Sequence, residues 1–206
     1  MLPDYTHLFF FLTATLLLNL IPGSDVLYIA SQSLQSHKNG LLAAIGISVG
    51  IFFYVLATAF GLTIILLKYP ILFRCIKTAG AIYIIYIAWQ IFHSPFGELG
   101  SIQKTTLSGF KAFRRGIINT LLNPKVGIFF ITFLPQFIEP ARGKVWLQLL
   151  SLGICFIISG TIINVIYAFI FSKLKKKLFS RVFVKNWLHK ILGCILGMIG
   201  VLVLFT

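Results

Sequence analysis

The stretch "NLIPGSDVLYIA" (19–30) sets Asn19, Pro22, Gly23 and Asp25 inside an otherwise apolar run. A carboxylate in a hydrocarbon-spanning segment costs about 2.5–3.5 kcal/mol on insertion scales, and such residues usually face a bundle interior or a cavity. There it can hold a proton, a cation or the ammonium group of a zwitterion. Asn19, Pro22 and Asp25 fall within an arc of about 120° at 100° per residue, with Thr15 on the same side one turn earlier. The stripe reads as a cavity wall. The competing reading puts Asp25 near the cytoplasmic end, since the rise to Ser31 is only about 7–8 Å. Asp is too short to reach the interface as Lys does, which favours the cavity.

"NTLLNPKVGIFF" (119–130) supplies a counterpart. Asn119 and Asn123, four apart, stack on one helix face. Lys125, after Pro124, could neutralise Asp25, meet a substrate carboxylate or snorkel to the interface. In a regular helix it points about 160° away from Asn123, so the group shares one wall only if the backbone unwinds at "NPK". Interior proline costs about 3 kcal/mol, and in lipid the carbonyl it frees must find a partner in the protein or in a wet cavity. Thr161 and Asn164 are further candidates for cavity lining, with local helix hydrogen bonding as an equal account.

Other chemistry has no visible machinery. His7, His37, His93 and His189 are scattered, and no phosphate loop, catalytic triad or metal-ligand cluster can be read. Cys75, Cys155 and Cys194 stand alone and read as packing residues. The expectation is a protein that is not an enzyme and takes no cofactor and no metal.

The elements that must position these residues follow from composition. The chain has 206 residues, of which 58% are hydrophobic and 11% charged, with mean hydropathy +0.97. Six windows reach the roughly 20 residues needed to cross a bilayer: 6–30, 41–67, 70–92, 115–137, 145–171 and 187–206. They are apolar all round, without the alternation of a barrel strand. "MLPDYTH" lacks the basic start of a secretory signal, so the first window is expected to stay as a transmembrane helix. The fold class is therefore an all-α polytopic membrane protein, one transmembrane domain over 1–206, with helices 1 and 4 broken or kinked at proline.

The net charge of +14 lies mostly in connectors, densest in "SKLKKKLFSRVFVKNWLHK" (172–190). Beside a membrane such a patch sets orientation and attracts anionic lipid, so membrane lipid rather than nucleic acid is its expected partner. Twelve basic residues fall in connectors 1–2, 3–4 and 5–6, against five in connectors 2–3 and 4–5. The first set is expected to be cytoplasmic and both termini external.

Segments three and six share K-x-x-G-x-I, "KTAGAI" at 77–82 and "KILGCI" at 190–195. With Pro22 and Pro124 interrupting segments one and four, this suggests two inverted three-helix repeats, about 1–92 and 115–206, around a cytoplasmic connector at 93–114. Gly46 and Gly50, and Gly193 and Gly197, have the small-xxx-small spacing of close helix packing, which also leaves a homodimer open.

The sequence resembles the LysE family, the lysine/threonine/homoserine efflux translocators of bacteria. "PGSD" (22–25) looks like that family's P-G-P-D, with Ser24 in place of a proline. Gly40, Gly46, Gly50 and Gly61 resemble its second-helix glycines, and "GIINTLLNPKVGIFFITFLPQF" (116–137) its G-x-x-x-N-x-x-N-P-K segment ending in F-L-P-Q-F. The resemblance implies export of amino acids or their derivatives, driven by proton exchange across a bacterial inner membrane. It favours Pro22, Gly23, Asp25, Asn119, Asn123, Pro124 and Lys125 as functional. Neutral cargo such as threonine, homoserine or leucine-like amino acids is the expectation. An inorganic-ion carrier and a non-transporting assembly or lipid-binding protein are the alternatives.

Overall fold

The computed structural model describes residues 5–20, 23–93 and 108–173, with Cys194, Gly197, Met198 and Val201. Over these the chain forms α1 (Tyr5–Leu20), α2 (Ser24–Ser33), α3 (His37–Lys68), α4 (Pro70–His93), α5 (Gly109–Leu121), α6 (Pro124–Thr132) and α7 (Val145–Lys173). Two 3-10 turns, Leu134–Phe137 and Pro140–Arg142, connect α6 to α7. Helix is the form an apolar chain adopts in lipid, because it satisfies its own backbone groups.

The second and fifth windows are α3 and α7, each long and apolar enough to cross a membrane. The first and fourth are bent pairs: α1 meets α2 at 49°, and α5 meets α6 at 52°. Counting each pair as one span gives up to four such spans among the described residues. The third window is the 24-residue α4. The sixth window and the basic connector lie outside the described residues, apart from the four positions named. A Cβ on Gly197 there would lie 3.6 Å from that of Ala88, next to α4.

One boundary differs from expectation. The connector was expected to run to residue 114, yet α5 begins at Gly109. Ala112, Gly116 and Thr120, spaced by four, are buried, while Lys111, Arg114 and Arg115 are exposed. The small stripe holds the segment against α3 while its charges point outward. The helix thus starts inside the stretch read as a connector, where its small residues meet α3.

Helix α3 is the centre of the bundle, packed along both α5 and α7. It runs parallel to α5: Gly46 lies on the Phe113 carbonyl, and a Cβ on Gly50 would come 2.8 Å from that of Thr120. Gly116 returns the contact, since its Cβ would lie 2.7 Å from the Ala43 carbonyl oxygen. Such backbone approach supplies the van der Waals packing that associates helices where water cannot drive them together. Against α7 the direction reverses, with Val55 over Gly153 and Ser48 beside Thr161. An aromatic cluster closes the region where α1, α6 and α7 meet. Phe129 stacks on Phe133 at 4.4 Å and Phe11 meets Phe137 edge-on at 5.4 Å, contacts worth about 0.5–1.5 kcal/mol each.

Candidate functional site

Both helix breaks open onto one cavity of about 110 Å³. Its polar wall is Asn19, Ser24 and Asp25 from the first break, Asn123 from the second and Asn164 from α7. Its apolar wall is Leu18, Val26, Ile51, Val126, Phe129 and Phe156. Backbone geometry places the acid. Gly23 is the extended N-cap of α2, and Asp25 falls in the first turn, where the positive end of the helix dipole favours a carboxylate.

Two side-chain bonds join the breaks. The Asn119 amide donates to Asp25 Oδ1 at 2.6 Å, and the Asn123 amide donates to Ser24 Oγ at 2.8 Å. Neighbouring residues on α2 are thus held by Asn119 of α5 and by Asn123, four residues on, in the break that follows. Asn19 is held from the other side, its amide donating to Ser159 Oγ at 3.2 Å. A Cβ on Gly160 would lie 3.1 Å from Asn19 Oδ1, so that glycine makes room for the amide. The result is a half-buried carboxylate with fixed orientation, facing an apolar wall across a small space.

The interruptions themselves are satisfied in matching ways. Tyr167 of α7 donates its hydroxyl to the Leu20 carbonyl at 2.9 Å, at the last residue of α1. Tyr54 of α3 donates to the Leu121 carbonyl at 2.8 Å, at the last residue of α5. A backbone carbonyl left unpartnered in hydrocarbon is costly, so each hydroxyl lowers the cost of its break.

The residues expected at the site thus divide. Asn19, Gly23, Asp25, Asn123 and Asn164 line the cavity, and Asn119 holds Asp25 from just outside the lining. Pro22 lies outside the described residues. Pro124 and Lys125 form the first turn of α6, and their side chains lie outside the description. Thr15 and Thr161 are not among the residues lining this cavity. Thr15 is fully buried one turn before the break, where the cavity has not yet opened. Thr161 turns toward α3, bonding Ser48 at 2.7 Å and its own helix at Ile157.

Sequence reasoning missed Ser24 as a wall residue, along with Ser159, Tyr54 and Tyr167. The signal for Ser24 was its position between a glycine and the one intramembrane acid. For the two tyrosines no local signal distinguishes a carbonyl partner from an interface anchor.

The family model described as LysE type translocator matches residues 16–206. A "Leucine efflux protein" of Salmonella typhimurium is 27% identical over 158 residues, covering 76% of this chain and 71% of that protein. The same name and figures hold for the Salmonella typhi protein. The "Uncharacterized membrane protein YrhP" of Bacillus subtilis is 28% identical over 192 residues, 88% of this chain and 90% of that protein. No solved structure matches the chain.

Proposed function

We propose that this chain, which belongs to the LysE type translocator family, exports small neutral amino acids from the bacterial cytoplasm by proton-coupled alternating access. One observation carries the reading. The cavity between the two helix breaks sets an oriented carboxylate opposite a wall of Val26, Ile51, Val126, Phe129 and Phe156.

The chemistry follows from that division. A zwitterion needs a partner for each charged group. Asp25 takes the ammonium group, and the N-terminal end of α6, with Lys125 in its first turn, takes the carboxylate. The side chain rests on the apolar wall, which offers no second charge. An apolar cavity of about 150 Å³ holds benzene, so a volume of about 110 Å³, shared by the whole zwitterion, suits a compact amino acid. This supports a neutral, aliphatic or hydroxylated cargo over a basic one. Asp25 also serves the proton: protonated, it releases the ammonium group, and deprotonated, it rebinds one.

The inverted repeat is part of the proposal. Ser48 and Thr161 stand 113 residues apart, as do Tyr54 and Tyr167, and as do Lys77 and Lys190 at the head of the shared K-x-x-G-x-I pattern. Two broken helices around one cavity in such an arrangement favour rocking of one half against the other. Lys125 pairing with Asp25 when the cavity is empty completes the cycle.

The test is efflux from cells preloaded with a mixed amino-acid pool. Cells with the protein should lose one or a few neutral amino acids faster than cells without it, and Asp25→Ala should remove the difference. A pool that drains at the same rate in both cell types overturns the reading. The inorganic-ion alternative has less support, because metal cations favour several hard or soft ligands together and the cavity wall holds one acid.

A further inference from the structure

We infer that Tyr54 and Tyr167 are paired hinge latches, each fixing the bend of the other half's broken helix and together setting which side of the membrane the cavity faces. The inference rests on the alternating-access reading above.

Four observations carry it. Each hydroxyl reaches the carbonyl of the last residue before a break, Leu20 for Tyr167 and Leu121 for Tyr54, at 2.9 and 2.8 Å. Each donor stands on the long unbroken helix of one half and each acceptor on the broken helix of the other, so the bonds cross between halves in both directions. Both rings are braced: Tyr54 stacks at 6.1 Å on Phe130, and Tyr167 at 5.6 Å on Phe171. Finally, a Cβ on Gly127 of α6 would come 3.1 Å from the Tyr54 hydroxyl, so this tyrosine touches both sides of its break.

The physical consequence concerns motion. A side chain on a helix leans toward that helix's N-terminus, so each tyrosine holds its carbonyl from a fixed direction. When a broken helix swings about its interruption, the last carbonyl before the break turns and the hydroxyl bond lengthens. The bond therefore stabilises the bend seen here and opposes the swing. Removing one hydroxyl frees α5–α6, and removing the other frees α1–α2. In an inverted arrangement the two broken helices open toward opposite faces, so the two losses bias access in opposite senses.

The experiment places one reporter cysteine, Ile51→Cys, on the cavity wall after Cys75, Cys155 and Cys194 are replaced by serine. A membrane-impermeant thiol reagent is applied to right-side-out and inside-out vesicles, and the ratio of the two labelling rates is read. Tyr54→Phe and Tyr167→Phe should move that ratio about three- to tenfold in opposite directions, the size expected for one neutral hydrogen bond. The double variant should return toward the parent ratio, and Tyr69→Phe, at the α3–α4 junction, should leave it unchanged. Ratios that stay put, or move in the same direction, overturn the inference. If a phenylalanine variant does not reach the membrane, a fluorinated tyrosine at that position keeps the ring and changes the donor strength, with the ratio again the readout. Efflux by the parent protein and the two phenylalanine variants, each with Ile51 intact, separates the two claims. Opposite shifts in a protein that moves no amino acid sink the cargo reading and keep the latches, whereas unmoved ratios in a working exporter sink the latches alone.

Discussion

The hydroxyls of Ser48 and Thr161 lie 2.7 Å apart where α3 crosses α7. Each also lies within hydrogen-bond reach of a carbonyl of its own helix, Ala44 for Ser48 and Ile157 for Thr161, so with one proton per hydroxyl two of the three bonds form at a time. Ser48→Ala should cost little, about 1 kcal/mol or less, because Thr161 keeps its local bond. Ser48→Leu should cost about 1–3 kcal/mol by overpacking the crossing. Thermal unfolding of the detergent-purified protein reads both, and equal losses would contradict a tight crossing.

The bond from Asn119 to Asp25 predicts a graded loss of transport. A hydrogen bond to a charged group contributes about 1.5–3 kcal/mol, so Asn119→Ala should slow exchange roughly ten- to a hundredfold. Asp25→Asn should slow it at least as much and remove the response to an imposed pH gradient. Reconstituted counterflow with labelled amino acid measures both. An Asp25→Asn protein that works at the parental rate would refute the role given to this acid.

Ser24 predicts a change of substrate affinity without a change of fold. It is the first residue of α2, after the extended Gly23, and both positions suit a proline at residue 24. Ser24→Pro should therefore leave stability within about 1 kcal/mol while removing the acceptor of the Asn123 amide. KM for export should shift and the maximal rate should follow less. Leu27→Pro, by contrast, deletes the bond from Leu27 to the Gly23 carbonyl and should cost about 3 kcal/mol. Expression and melting temperature separate the two prolines.

The α3–α5 contact predicts opposite outcomes for two glycines of one helix. A Cβ on Gly46 collides with the Phe113 carbonyl, whereas one on Gly61 meets nothing within 4 Å. Gly46→Ala should lower the melting temperature. Gly61→Ala should hold or raise it, since alanine is favoured in a helix by about 1 kcal/mol.

The membrane class, the long apolar helices and the interruptions in segments one and four were legible in the sequence, because hydrocarbon leaves the chain few choices and proline marks its exceptions. Asp25, Asn119 and Asn123 stood out for the same reason: each is costly where it sits. Thr161 was open between cavity lining and a local helix bond, because helical spacing gives the direction of a side chain but not the neighbour it meets; here it meets Ile157 and Ser48. The start of α5 was misplaced because Lys111, Arg114 and Arg115 look like a connector until the small stripe of Ala112, Gly116 and Thr120 is set against α3. Tyr54 and Tyr167 could not be found from one chain, since their partners are backbone atoms 67 and 147 residues away.

The two broken helices are tethered unequally. Only three residues, 34–36, separate α2 from α3, whereas twelve, 133–144, separate α6 from α7. Within the longer link Gln148 grips the Glu139 backbone at both its N–H and its carbonyl, and Arg142 pairs with the Glu139 side chain. One broken helix thus hangs on a short cable and the other on a long, guyed one. If the proposed alternating access holds, its forward and return strokes differ in rate-limiting step, and slowing one by shortening or cutting a tether should leave the speed of the other largely intact.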